Sequence, residues 1–407
     1  MSNVEGLPSD VGAQALRSVI RGTHLARADD LPEMAAVAGK HLFATATVLY
    51  VADHDQVELV PLPTPPDVVR TPLRVDGTLA GRAFRDITRV DGGNPLDGTT
   101  IWMPMLDGTE RLGVVEFLFG PNVDVDDSVG TACSDLAALL AEVLVTRMPY
   151  GDAISKARRR RPMTLSAELQ WGQLPPLTFV TSAVAISGIL MPTAEIAGDS
   201  FDYSVNGTIA SVAIIDAMGH SLEATLLSMV AIGALRNARR CGLSLPATVS
   251  SMDAAVGNSF GPDKFVTAIV GQLDTATGVW TWATCGHPPA FIIRRGRVVK
   301  MLDAVVDPPL GLHSADPELG RERLEPGDRI LLYTDGVAEA RNAGGEFFGT
   351  ARLADFITRQ SAAGLSAAET LRRLNLAILD YQDGKLQDDA TTVVIEWHGD
   401  EPNRVRL

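Results

Sequence analysis

Three apolar runs in this 407-residue chain end or begin at aspartate. Residues 209–215 stop at Asp216, residues 330–333 (ILLY) run into Thr334, Asp335 and Gly336, and Asp388 and Asp389 stand just before 391–397 (TTVVIEW). A further acidic turn, Gly198 and Asp199 with Asp202 after it, precedes the first run. Short runs rich in Val, Ile and Leu, closed by Gly-containing turns, read as buried strands, so these carboxylates fall at strand ends. A carboxylate at the mouth of a buried strand is costly unless it is paired or bound to a cation. Several of them converging would give the all-oxygen ligand set that Mg²⁺ or Mn²⁺ takes. Each also has a plainer reading: Asp199 and Asp202 as turn caps, Asp216 and Asp335 as Asx-turn residues, Asp388 and Asp389 as an exposed turn. His220, four residues past Asp216, suits a proton donor near neutral pH or a structural residue at a helix start. His287, in CGHPP, reads as structural. No phosphate-cradling G-x-x-x-x-G-K-[ST] loop or kinase signature is present.

The elements that must carry these residues follow from periodicity. Past the first run, helices are expected over 221–240, with Leu222, Leu226, Met229, Val230, Gly233 and Ala234 on one face, and over 245–260. Strands follow at 265–273, 279–284, 290–294 and 298–302, then helices at 350–360 and 366–380 and a last strand ending at Trp397. Strands interleaved with paired helices, without strict βαβ alternation, indicate an α+β fold. Upstream, residues 1–25 read as a loose leader and 32–42 as a helix. Strands at 45–51 and 57–62 flank the turn Asp53-His54-Asp55, with His54 a solvated turn residue. Strands at 101–106 and 112–119 and an amphipathic helix at 129–145 complete this half. Residues 150–163 form a boundary containing four consecutive arginines, 158–161, that suit either a solvated linker face or docking to an acidic surface. Leu165, Leu169 and Leu174 mark a short lead helix behind it.

Length gives a prior of two to three domains, and 46% hydrophobic residues suffice for packed cores. The net charge is −15, and residues 1–150 carry 11 Lys and Arg against 21 Asp and Glu, a surface that repels nucleic acid. Cys133, Cys241 and Cys285 are odd in number and lack C-x-x-C spacing, which argues against a disulfide framework or a zinc site and fits a reducing cytoplasm. No segment reads as a membrane span, and the first ten residues have no basic, then apolar, leader. A soluble cytoplasmic protein with no membrane partner is the expectation.

The ordered set AGDSFDY, IDAMGHS, FVTAIVGQLD, ATCGHPPAFI, DPPLGL, LEPGDRILLYTDGVAEARN, FG and DDATTVVI, spread over 164–398, resembles the bacterial metal-dependent PPM (type 2C-like) Ser/Thr protein phosphatases of the sporulation stage II E and sigma-regulator branch. The segment DGTLAGRAF with the strand pair after it resembles a GAF sensor domain; a PAS domain, and a dimerisation module without ligand, remain open. The resemblance implies a leader over 1–25, a GAF-like domain over 26–149, a linker and lead helix over 150–175, and a phosphatase domain over 176–400. That last domain would consist of two packed antiparallel sheets flanked by helix pairs. It makes Asp199, Asp216, Asp335 and Asp388 ligands of two Mn²⁺ or Mg²⁺ ions, with Ala217 giving a backbone carbonyl; Asp389 stays open beside Asp388. A metal-activated water would attack phosphoserine or phosphothreonine in line, with no covalent intermediate, and His220 would protonate the leaving oxygen. The implied substrate is a phosphorylated STAS-type anti-sigma-factor antagonist, and homodimerisation through helices within 126–174 is open. The chain has Ala197 where the family pattern has Gly, Ala217 after the metal-binding Asp, and Ser221 in place of Gly; Ser is an acceptable N-cap. The Arg that clamps substrate phosphate in eukaryotic relatives has no counterpart. A silent scaffold that keeps the fold and binds a partner is the competing reading.

Overall fold

A computed structural model describes residues 10–63, 70–94, 98–121, 123–160, 162–191, 198–220, 222–302, 306–312, 317–384 and 386–399. Its contacts divide the chain between Pro162 and Met163 into two units.

The N-terminal unit contains α1 (Asp10–Gly22), α2 (Leu31–His41), β1 (Ala44–Ala52), β2 (Glu58–Pro61), β3 (Leu73–Arg74), α3 (Leu79–Asp86), β4 (Val90–Asn94), β5 (Gly98–Asp107), β6 (Glu110–Phe119), α4 (Asp127–Arg147) and α5 (Ala153–Ala157). Its strands form one antiparallel sheet in the order β3-β2-β1-β6-β5-β4. Side chains alternate across a pleated strand, and β1 uses both faces. Leu49 and Val51 join the core under α1, α2 and α4, while Val48 and Tyr50 pack with Phe84 of α3, Trp102 and Val114. Residues 10–22, expected within a loose leader, are instead a helix whose Ala15 and Val19 are buried in that core. Nor is the chain without a segment of membrane-spanning length. The helical stretch Asp127–Tyr150 is long and apolar enough, but half of its apolar window is buried here, as in the central helix of a packed core.

His54 is only partly solvated. Its N–H donates to the Arg158 carbonyl at 3.0 Å, and burial, then the charges of Arg158 and Arg159, lower its pKa to about 3. Arg158 Nε donates to the Ala52 carbonyl at 3.2 Å, and Arg160 Nε lies 3.6 Å from Asp53 and 3.7 Å from Glu58. Arginines 158–160 therefore lie on the acidic β1–β2 turn of their own unit; Arg161 lies outside the described residues.

The C-terminal unit contains α6 (Leu165–Gln173), β7 (Thr178–Val180), β8 (Val184–Met191), β9 (Ser200–Asn206), β10 (Ile209–Ala217), α7 (Leu222–Arg240), α8 (Leu245–Phe260), β11 (Val266–Asp274), β12 (Val279–Cys285), β13 (Phe291–Arg294), β14 (Arg297–Met301), β15 (Val306–Asp307), β16 (Gly320–Arg323), β17 (Arg329–Tyr333), α9 (Asp335–Ala338), α10 (Gly349–Ala362), α11 (Ala367–Tyr381) and β18 (Ala390–Trp397). One sheet runs β15-β12-β11-β10-β9 with β16 also on β12, the other β14-β13-β17-β18-β8-β7. All named strand pairs in this unit are antiparallel except β12 with β15. The sheets share a core that includes Ile186, Ile214, Trp280, Ile330 and Val393. Leu227, Ala231, Met252 and Val256 of α7 and α8 cover the outside of the first sheet; Leu353, Leu374 and Ile378 of α10 and α11 cover the second. This is the expected α+β architecture of two sheets between helix pairs.

Two helix faces differ from expectation. Helix α7 buries Ala224, Leu227, Ala231, Ile232 and Leu235, leaving Leu222 and Leu226 exposed. Helix α6 buries Ser166, Ala167, Gln170 and Gln173 and leaves Leu165 62% exposed, because the inward glutamines find polar partners in the site.

The β1–β2 turn generates a pH prediction. Asp53 is fully buried, and desolvation raises its carboxyl pKa to about 6 although Val57 and Glu58 N–H groups donate to Oδ1. A raised acid stabilises the fold below its ordinary pKa, and that stability is lost as pH rises from about 4 through about 6. Asp53→Asn keeps an acceptor for both N–H groups and does not ionise. In denaturant titrations of the full chain, its stability relative to the parent is expected to improve by on the order of 2–3 kcal/mol between pH 4 and pH 7. A difference that does not change with pH contradicts this account of the turn.

Candidate metal centre

The first sheet delivers Asp199 just before β9 and Asp216 near the end of β10; the second delivers Asp335 just after β17 and Asp388 and Asp389 just before β18. Register brings the strand ends level. Asp216 pairs with Thr267 of β11, and Tyr333 pairs with Thr392. His287 bridges the two sheets at this level. Its Nε2 lies 3.1 Å from the Tyr333 carbonyl and so must donate, which leaves Nδ1 to accept from the Thr267 hydroxyl at 2.9 Å. Burial lowers its pKa to about 4, so it is a neutral structural tie, as expected.

Asp199 is buried, and its Oδ2 accepts from the hydroxyls of Thr334 and Thr391, each at 2.7 Å. Asp389 is also buried; its Oδ2 accepts from Gln170 Nε2 at 2.9 Å and from the Gly198 N–H at 3.0 Å. The same Gln170 nitrogen donates to the Asp199 carbonyl at 2.8 Å, so one amide on α6 joins both halves of the site. Asp388 lies at the rim, its Oδ1 accepting from the Asp389 N–H at 2.9 Å. Two glycines let the backbone close up. A Cβ on Gly336 would fall 1.9 Å from the Asp389 carbonyl, and one on Gly198 would fall 2.8 Å from the Ala217 carbonyl.

The carboxylates act on one another. Asp216 has its pKa raised to about 8, first by burial and then by Asp335, Asp388 and Asp389. Asp199 is raised well above the ordinary range by burial, Asp216 and Asp389, against the opposing hydroxyls of Thr334 and Thr391. Asp388 is raised by burial, Asp335 and Glu339, against its bond from the Asp389 N–H. The charges named as raising these three carboxyls all belong to other carboxylates. Among the described residues no group of three or more His, Cys, Asp or Glu side chains is placed so that it could hold a metal ion as it stands. In chemistry, the all-oxygen donor set nevertheless fits hard divalent cations.

The structure thus gathers Asp199, Asp216, Asp335, Asp388 and Asp389, with Ala217 buried beside Gly198. His220 is exposed on the turn after β10 and makes no hydrogen bond to these carboxylates. Ser221 lies outside the described residues. Asp202 is not a turn cap: it lies on β9 and takes Arg236 at 2.7 Å and Arg239 at 2.8 Å. Gln170, Thr334, Thr391 and Glu339 were not found by sequence reasoning. Two glutamines three apart on a short helix, a threonine before Asp335 and another two residues after Asp389 were the available signals.

A family model described as "Stage II sporulation protein E (SpoIIE)" matches residues 207–398. The chain is 25% identical over 217 residues to "Phosphoserine phosphatase RsbU" of Bacillus subtilis, covering 52% of this chain and 63% of that one. It is 28% identical over 192 residues to "Phosphoserine phosphatase RsbP" of the same organism, covering 45% and 47%. The matches thus span less than two thirds of either relative. The solved RsbU and RsbW domains of Rv1364c from Mycobacterium tuberculosis superimpose with a TM-score of 0.48 at 24% identity, covering 53% of this chain and 62% of that one. Residues 207–398 of this chain thus match the stage II sporulation protein E family model, and the chain is similar to two phosphoserine phosphatases.

Proposed function

We propose that the chain is a Mn²⁺- or Mg²⁺-dependent protein phosphatase that hydrolyses phosphoserine or phosphothreonine on a regulatory protein, a STAS-type anti-sigma-factor antagonist, in the cytoplasm. The observation that carries this reading is a set of carboxylates from separate chain segments, brought close enough that Asp335, Asp388 and Asp389 join burial in raising the Asp216 carboxyl. Asp216, Asp335 and Asp388 would hold two ions together with one oxygen of Asp199 and the Ala217 carbonyl. Asp389 is assigned to positioning, because Gln170 and Gly198 already occupy its Oδ2. Bound as a pair, such ions supply a water acidic enough to attack near neutral pH and neutralise charge on the phosphoryl oxygens.

The chain's own residues then hold the site and move one proton. Thr334, Thr391 and Gln170 fix the acidic loops from the protein side. His220, exposed beside the site, is proposed to protonate the leaving serine or threonine oxygen. Cysteine chemistry has little support: Cys133 and Cys285 are buried, and burial raises each thiol pKa to about 12. We assign residues 26–149 a GAF-like sensor role, passed on through the segment that leads into α6. Homodimerisation is a further part of this proposal.

The enzyme reading predicts Mn²⁺-dependent hydrolysis of p-nitrophenyl phosphate and of a phosphoserine protein, cut about a hundredfold or more by Asp216→Asn or Asp335→Asn. His220→Gln should slow only the phosphoserine substrate by about a hundredfold or more, since p-nitrophenolate departs without a proton. No metal-dependent turnover of either substrate by the parent chain would leave the scaffold reading in place. A second prediction concerns stability. Because the Asp216 carboxyl is raised in the fold, the stability of the parent chain relative to Asp216→Asn in EDTA should fall as pH rises from about 4 through about 8. Saturating Mn²⁺ should displace the proton and flatten this dependence, as read by denaturant titration with and without the ion. Parallel curves in EDTA and Mn²⁺ would contradict it.

A further inference from the structure

Both acceptor positions of one Asp199 oxygen are used. Thr391 N–H donates to Thr334 Oγ1 at 3.0 Å, which leaves the single Thr334 hydroxyl proton for Asp199 Oδ2 at 2.7 Å. The Thr391 hydroxyl donates to the same Oδ2 at 2.7 Å. A carboxylate oxygen offers about two lone-pair sites, so Oδ2 is filled and Oδ1 is the oxygen left for a ligand. The arrangement is rigid. Thr334 and Thr391 are 0% exposed, the Thr334 N–H donates to the Thr391 carbonyl at 3.0 Å, and the two residues belong to adjacent strand ends of the second sheet. Asp199 comes from the first sheet, so the clamp ties the two sheets together at the site.

Resting on the metal-centre reading above, we propose that Thr334 and Thr391 are positioning residues that set ion selectivity by forcing Asp199 to ligate through one oxygen only. Mg²⁺ and Mn²⁺ suit compact octahedral sites built from single carboxylate oxygens. Ca²⁺ takes six to eight oxygens and readily uses both oxygens of one carboxylate. A filled Oδ2 denies Ca²⁺ that second contact. Removing one hydroxyl frees a lone pair, loosens the carboxylate, and weakens small-ion binding while easing two-oxygen ligation.

The test is calorimetric titration of the full chain with MnCl₂ and, separately, CaCl₂, for the parent, Thr391→Val, Thr391→Ser, Thr334→Val and Asp216→Asn. Thr391→Val is expected to weaken Mn²⁺ binding 10- to 100-fold, the usual effect of losing an outer hydrogen bond to a metal ligand. Ca²⁺ binding should fall by much less, so the Mn²⁺ preference narrows. Thr391→Ser, which keeps the hydroxyl, should stay within about threefold of the parent. Thr334→Val gives the same measurement from the neighbouring strand should the first variant fail to fold. An unchanged Mn²⁺-to-Ca²⁺ preference in the valine variants, or a serine variant as impaired as the valine one, overturns the clamp while Asp216→Asn still abolishes binding. A parent chain that binds neither ion, with Asp216→Asn indistinguishable from it, overturns the metal centre itself.

Discussion

Mutual repulsion among carboxylates is the constraint around which the C-terminal unit is built. Ionising Asp216 against burial and three neighbouring aspartates, with its carboxyl raised to about pKa 8, costs on the order of 5 kcal/mol relative to water. That is a large fraction of the net stability of a typical domain. A fold that keeps such a cluster must hold it from behind, and the backing is visible: threonine hydroxyls on Asp199, an amide and an N–H on Asp389, and a neutral histidine between the sheets. These groups donate hydrogen bonds without adding positive charge.

The two sheets make this possible because their strand ends are level. Acidic residues at the ends of β10 and β17 and before β18 can face one rim only if the core between the sheets fixes their relative height, and Ile214, Ile330 and Val393 from those same strands lie in that core. Helix α6 adds the last connection. It turns Gln170 toward Asp199 and Asp389, and Gln173 toward Ser228 of α7, at the expense of exposing Leu165. Its polar inner face makes sense only with the site in place. The segment that leads into this helix is thereby linked, through one amide, to the carboxylates.

Much of this was legible in the sequence. Apolar runs marked the strands of the C-terminal unit, and the aspartates at their ends could be seen to fall near one another. What could not be read depended on partners remote in the chain. The inward faces of α6 and α7 are set by what lies beneath them, so hydrophobic spacing alone chose Leu165, Leu222 and Leu226, which are exposed. Arginines 158–160 resemble a solvated run until the β1–β2 turn is seen to offer Asp53, Glu58 and backbone carbonyls. Thr334 and Thr391 are 57 positions apart, and each lies 135 or more from Asp199; nothing local marks them as its partners. The bonds that Asp389 Oδ2 accepts from Gln170 and Gly198 are likewise between residues remote in the chain.

The most direct measurement is anomalous X-ray diffraction from a Mn²⁺-soaked crystal of the full chain. The account predicts two anomalous peaks at the rim, in contact with Asp216, Asp335 and Asp388, with Asp199 contributing one oxygen. Density that leaves Asp216 and Asp335 without a shared ion, in a crystal where Mn²⁺ is bound elsewhere, would contradict it.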